Sequence, residues 1–226
     1  MKLDARLLAV ADLVTEGAYL ADIGTAHAYL PLYLAEKGLL SGAVASDIHK
    51  GPLESAKKNI REAGFSTLIH TLLTDGLQGI ESYPVTDIAI AGMGGLMIAG
   101  ILEKAPFLRE RRPRLVLQPM QHIPELRKYL GENGFQITKE TQATADGKFY
   151  QIICAVWDGT PRQYTDVELL LGKYNIEHKE ESPERFRTLC NRQLDILNEK
   201  IKGLEKGGYS AEFQKALHAA IAAELL

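Results

Sequence analysis

Cysteine is scarce: Cys154 and Cys190 are the only two in 226 residues and stand far apart. That spacing excludes a disulfide framework and a close-spaced zinc motif, so free buried thiols and no bound metal are expected. An excess of charge of one sign is also missing, with 26 Lys plus Arg against 29 Asp plus Glu and a formal net charge of -3. A protein that grips nucleic acid by bulk positive charge is thereby excluded, and any RNA contact has to come from a local patch. No apolar run is long enough to span a bilayer, and the opening Met1-Lys2-Leu3-Asp4-Ala5-Arg6 puts charge where a secretory leader is apolar. A cytoplasmic protein without a membrane partner is the expectation. Hydrophobic residues at 46% and charged residues at 24% are ordinary for a globular chain, so neither disorder nor a fibrous class is indicated.

What is present is an alternation of short apolar runs with amphipathic stretches, the pattern of an α/β protein whose sheet is covered by helices. Strands are predicted at 19–22, 43–47, 68–73, 87–91 and 114–118. Helices fall between and after them, among them 50–63, with Leu53, Ala56 and Ile60 on one face and Gly64 at its end, and 124–133, with Leu126 and Leu130 four apart. Two further strands, 135–141 and 149–157, are joined through Asp146-Gly147, a strong hairpin signal. Near Pro161 the strand-like runs stop. The predicted boundary therefore separates a Rossmann-like domain, 1–160, from a helical appendage, 161–226. In the appendage Cys190, Leu194, Leu197, Ile201 and Leu204 follow coiled-coil spacing, and Phe213, Leu217, Ile221 and Leu225 are spaced by four on a second helix after Gly207-Gly208. Packing and dimerisation are equally open as the tail's purpose.

The chemistry gathers at strand ends. Asp22-Ile23-Gly24-Thr25 closes the first strand, where ligands of open α/β sheets bind. Gly24 permits a sharp turn, while Ala26 and Tyr29 stand where a dinucleotide fingerprint needs its further glycines, so no bare pyrophosphate cradle exists. Asp47, followed by Ile48, ends the second strand 23 residues after Gly24, where nucleotide-binding sheets place the acid that accepts from ribose hydroxyls. Asp75-Gly76-Leu77 closes the third and Ala91-Gly92-Met93-Gly94-Gly95 the fourth. Four consecutive strand ends carrying Asp or Gly make one crevice. Arg109, Arg111, Arg112 and Arg114 form the one concentrated basic patch, read either as a solvated loop or as a phosphate contact on the segment leading to Gln118, close to the crevice rim.

Over nearly its whole length the chain resembles the bacterial tRNA adenine-22 N1-methyltransferases, class I methyltransferases with a coiled-coil C-terminal domain. The resemblance rests on Asp22-Ile23-Gly24-Thr25, His27-Ala28-Tyr29-Leu30-Pro31, Asp47, Asp75-Gly76-Leu77, Gly92-Met93-Gly94-Gly95, Leu117-Gln118-Pro119, Leu126-Arg127 and Lys148-Phe149-Tyr150. It implies S-adenosylmethionine as cofactor and tRNA as partner, with Asp22 and Gly24 facing the methionine part, Asp47 the ribose, and Asp75 with Gly76 the adenine. It also implies that residues 92–95 with Gln118 and Pro119 floor the target-base pocket. Two departures stand out. Ala26 occupies the position where the family normally has aspartate, and Met120-Gln121 replaces the more usual asparagine start. Either the lineage manages without that carboxylate, or the chain is a weakened or non-catalytic member that binds cofactor or RNA.

Methyl transfer from a sulfonium to adenine N1 needs alignment rather than a side-chain nucleophile. N1 is hidden in a paired stem, so the base has to be extruded onto a stacking surface. Tyr29 and Tyr150 are candidates, with ordinary core packing as the alternative for each. His27 is a candidate for a hydrogen bond or proton transfer in the pocket, against a structural role. A nicotinamide-dependent hydride-transfer enzyme, a non-catalytic RNA-binding or assembly protein and a small-molecule methyltransferase are the rival readings. The missing pyrophosphate glycines oppose the first, and the rod-like appendage, a poor lid, opposes the last. Oligomeric state is open.

Overall fold

The computed structural model describes residues 2–225; Met1 and Leu226, the outer limits of the two expected domains, lie outside them. The chain divides into two compact units, Met1–Pro161 and Arg162–Leu226.

The first unit holds a single seven-stranded sheet. Its strands are β1 (Ala18–Ile23), β2 (Leu40–Asp47), β3 (Ile69–Leu73), β4 (Asp87–Met93), β5 (Arg114–Pro119), β6 (Phe135–Ala145) and β7 (Lys148–Trp157). They lie in the order β3-β2-β1-β4-β5-β7-β6. The first five pair in parallel, and β7 runs antiparallel between β5 and β6. This is a Rossmann-like sheet closed by a hairpin. Asp146 and Gly147 both take positive φ, 49° and 71°, which lets a two-residue connection follow the twist of the long β6–β7 pair.

Strand residues divide the core by alternation. Leu20, Ala43, Ala45, Ala89 and Val116 pack on one face, whereas Ala21, Val44, Ile88, Ile90, Leu115 and Leu117 pack on the other. A sheet covered on both sides needs apolar residues at both parities, which is why these strands read as continuous apolar runs. Helices α1 (Ala5–Ala11), α2 (Tyr29–Glu36) and α3 (Lys50–Glu62) feed the first face. Helices α4 (Gly95–Glu103), α5 (Phe107–Arg111) and α6 (Ile123–Glu132) feed the second. Each fully buried Leu or Ile side chain contributes about 1.5–3 kcal/mol. The strand order reverses between β1 and β4, so the carboxyl ends of these two neighbours open a crevice.

The second unit is helical: α7 (Asp166–Leu171), α8 (Lys173–Glu177), α9 (Pro183–Lys206) and α10 (Glu212–Ala223). Thr165 and Glu168 form a capping box that starts α7. Along α9, Cys190 and Leu197 are buried and Leu194, Ile201 and Leu204 half-buried. Burial, with the Glu224 carboxylate adding to it, pushes the Cys190 thiol up to about 11, so it stays protonated. On α10 Ile221 is buried, whereas Phe213 is 59% exposed. Phe213 sits in the first turn, where the helix has no side-chain cap.

Candidate active site

The loop after β1 is tied down from three sides. Gly24 turns with φ +75°, and the N–H groups of Gly24 and Thr25 donate to the Ser46 carbonyl of β2 at 2.8 and 2.9 Å. The Thr25 hydroxyl accepts from the Ala28 N–H at 2.9 Å, and Asn59 of α3 donates to the His27 carbonyl at 3.0 Å. Ala28 takes φ 57° as α2 begins. With the backbone pinned, the side chains of Ala26, His27 and Tyr29 are left exposed. The His27 and Tyr29 rings stack at 4.9 Å with 26° between their planes.

Beneath this loop lies the buried Asp22 carboxyl. Burial raises it to about 6, opposed by a hydrogen bond with Thr25. A buried carboxyl held in this way is a ready acceptor for a ligand cation.

Beside the loop a cleft of about 520 Å³ is lined by Ile23, Gly24, Asp47, Ile48, Asp75 and Gly76, six of the expected cofactor residues. Asp47 is already oriented, its Oδ1 accepting from the His49 N–H at 2.7 Å. Ser46, Met97, Ile101 and Lys104 also line the cleft, and sequence reading missed all four. The hydroxyl of Ser46 is buried and without a hydrogen-bond partner among the described residues. Met97 and Ile101 lie one turn apart on α4, a register visible only once the helix is known to face the cleft. Of the other six expected cofactor residues, Asp22, Thr25 and His27 belong to β1 and the loop after it, and three lie elsewhere. Leu77 is 4% exposed and packs in the core, Ala91 packs against the opposite core face, and Gly92 stands next to Arg6. The walls combine the carboxylates of Asp47 and Asp75 with apolar side chains and Lys104.

A second pair of strand ends forms a floor. Gly92, with φ +82°, breaks the register between β4 and β5, and its N–H donates to Gln118 Oε1 at 3.1 Å. The Met120 N–H donates to the Met93 carbonyl at 2.8 Å, and the Gly95 N–H to the Gln121 carbonyl at 2.7 Å. A Cβ on Gly95 would run into the His122 carbonyl, so glycine here is a matter of close approach. The cleft and the floor meet at Met93, which lines the cleft and whose methyl group a Cβ on Gly24 would overlap. Gln118 is fully buried, Pro119 buried, and Met120 48% exposed. Tyr150 is half-buried, with the Arg6 guanidinium 5.8 Å from its ring centre.

The arginine patch is not brought to this crevice. Arg114 opens β5 and Pro119 closes it, so the patch lies about 17 Å away at the amino edge of the sheet. The expected nearness to the rim is therefore corrected: a parallel strand carries its two ends to opposite edges. Arg111 donates to the Tyr83 carbonyl at 2.9 Å, Arg112 lies 5.3 Å from the Trp157 ring centre, and Arg114 reaches the Cys154 sulfur at 3.8 Å. Arg109 is exposed. Among the described residues no group of three or more His, Cys, Asp or Glu could hold a metal ion, and no helix is long and apolar enough to cross a membrane.

Residues 3–153 match the family model of a methyltransferase domain. The tRNA (adenine(22)-N(1))-methyltransferase of Bacillus subtilis is 37% identical over 172 residues, 76% of this chain and 72% of that protein. The crystal structure of a putative tRNA (m1A22) methyltransferase from Streptococcus pneumoniae, in complex with S-adenosyl-L-methionine, superimposes with a TM-score of 0.83 at 32% identity, covering 100% of both chains. That of the B. subtilis m1A22 tRNA methyltransferase TrmK gives 0.78 at 30% identity, covering 99% of this chain and 96% of that one. With the sheet order, the glycine-bearing strand ends and these likenesses in agreement, the chain belongs to the tRNA (adenine(22)-N(1))-methyltransferase family.

Proposed function

We propose that this protein transfers the methyl group of S-adenosylmethionine to N1 of adenine 22 in tRNA. The observation that carries the reading is the junction of Gly24 and Met93, where the cleft suited to a cofactor opens onto the floor suited to a base. When bound, S-adenosylmethionine supplies an electrophilic methyl carbon on a positively charged sulfur. The Asp22 carboxylate suits the cofactor's ammonium group, and Asp47 suits its ribose hydroxyls. Asp75, which lines the same cleft as Ile48, Met97 and Ile101, suits the purine. Ile23, Thr25 and Gly76 shape the backbone around these groups.

Adenine N1 attacks with its own lone pair, and the electrons of the broken carbon–sulfur bond remain on sulfur. The protein's part is to hold the three atoms in line and keep water out. Residues 92–94 with Gln118 and Pro119 would support the extruded base, and Tyr29 and Tyr150 offer aromatic faces beside it. His27, exposed and stacked on Tyr29, suits stacking better than proton transfer. Residues 1–160 would act as the catalytic domain and 161–226 as a helical, coiled-coil-like appendage, working in the cytoplasm where tRNA is modified. The alternative of a weakened or non-catalytic member, attached to Ala26, is not supported by the comparisons.

The test is methyl incorporation from labelled S-adenosylmethionine into paired transcripts carrying adenine or guanine at position 22, followed by nucleoside analysis for 1-methyladenine. Incorporation confined to the adenine transcript is expected. Incorporation into neither transcript by a protein that binds the cofactor would overturn the reading.

A further inference from the structure

Arg6 belongs to the first turn of α1, and the transfer chemistry assigns it no part. Its Nη1 nevertheless donates to Gln118 Oε1 at 2.8 Å, across 112 residues of sequence. Gln118 Oε1 also accepts from the Gly92 N–H at 3.1 Å. On its other side Gln118 Nε2 donates to the Pro119 carbonyl at 2.9 Å and approaches the Met120 sulfur at 3.6 Å. A glutamine amide is nearly symmetric in shape, so its orientation is set by its partners. Turning this one over would bring its NH2 against a guanidinium and an N–H, and its oxygen against a carbonyl. A bond to a charged donor is roughly twice as strong as a neutral one, so Arg6 supplies most of the preference.

We infer that Arg6 is a positioning residue of the methyl-acceptor floor, locking the Gln118 amide and through it the backbone at Gly92 and Pro119. The guanidinium itself is held in place. Asp4, the N-cap of α1, stands 3.7 Å from Nη2, and the Tyr150 ring lies 5.8 Å from the guanidinium carbon. Arg6 thus ties α1, the ends of β4 and β5, and the β7 aromatic into one unit. A guanidinium spent in this way is a poor hook for an RNA phosphate. The kinetic side of this inference rests on the proposed function; the orientation of the amide does not.

The test compares Arg6→Ala, Arg6→Lys, Gln118→Ala and the Arg6→Ala/Gln118→Ala pair. Side-chain amide exchange of Gln118 is followed in 15N-glutamine-labelled protein, the signal being assigned by its loss in Gln118→Ala. Arg6→Ala should speed that exchange and lower kcat on the adenine-22 transcript about 10- to 100-fold, with KM for tRNA and affinity for S-adenosylmethionine within about twofold. Arg6→Lys should recover much of kcat, and the double variant should be no worse than Gln118→Ala alone. If Arg6→Ala raises KM for tRNA while kcat holds, or its loss adds fully to that of Gln118→Ala, Arg6 is a backbone contact and the inference is overturned. Unchanged amide exchange overturns it as well. Should Arg6→Ala fail to fold, the same readouts on Arg6→Lys and Arg6→Gln decide. A wild-type protein inactive on the adenine-22 transcript would sink the proposed function, and amide exchange would still decide the role of Arg6.

Discussion

Asp22, proposed to face the cofactor's ammonium group, is a buried carboxyl that costs stability. Its folded carboxyl titrates near 6, whereas a free aspartate titrates near 4. Between those values the folded state holds more proton than the unfolded one, so stability falls as pH rises and the penalty is complete above about pH 6. The gap between the two values corresponds to about 3 kcal/mol. Asp22→Asn should therefore raise the stability of the cofactor-free protein by about 1–3 kcal/mol in urea titrations while weakening S-adenosylmethionine at least about tenfold by calorimetry. In the wild type, cofactor affinity should climb from about pH 5 to about pH 7 and then level off. Affinity flat across that range would remove Asp22 as the ammonium partner. Ala26 is simpler, because it is exposed on a loop pinned by its neighbours. Ala26→Asp should leave stability within about 0.5 kcal/mol and raise kcat, since a carboxylate there would face a base that becomes cationic. An unaltered kcat would mean that this chain does without it. Gly24, Asp47 and Asp75 were legible because a strand end marks its own place in sequence. Arg6 was not, because its partner lies more than a hundred positions away and only packing brings the two together.

Helix α6 and the β6–β7 hairpin are joined by a buried charge network. Arg127, 1% exposed, donates from Nε to Glu140 Oε1 at 2.9 Å and from Nη2 to Gln151 Oε1 at 2.7 Å. Burial raises the Glu140 carboxyl even against the pull of this guanidinium, and its Oε2 lacks a partner among the described residues. Arg127→Met should cost about 3–5 kcal/mol in denaturant midpoints by stranding that carboxylate, and adding Glu140→Leu should restore most of the loss. A double variant no better than the single one would show that the pair acts by packing. Element boundaries were largely readable: 87–91 became Asp87–Met93 and 50–63 became Lys50–Glu62. Turn residues and alternation carry that information locally. The short helix α1 gave little signal, its seven residues being too few to display a period, and its site residue was missed with it.

At the scale of the whole first unit, the arginine patch is separated from the crevice. The exposed Arg109 sits at the amino edge of the sheet, whereas the crevice opens at the carboxyl edge. Of the two readings of the patch, a phosphate contact at this far edge is the one we propose, tRNA being long enough to reach both edges. Arg109→Glu should weaken tRNA binding evenly across sequences and lower the salt slope by about 1, with cofactor affinity unchanged. Unaltered tRNA binding would leave the patch as a solvated edge. The amino-acid sequence by itself determined the α/β class, the order of elements and the acidic and glycine-bearing strand ends, because alternation, turn chemistry and strand termini are local properties of a chain. Only the tertiary structure decided which of those ends face one another. Strand order set Gly24 against Met93, sent the arginines to the far edge, drew Leu77 into the core and brought Arg6 onto Gln118. Such pairings depend on the sheet's winding, which no short stretch of sequence contains.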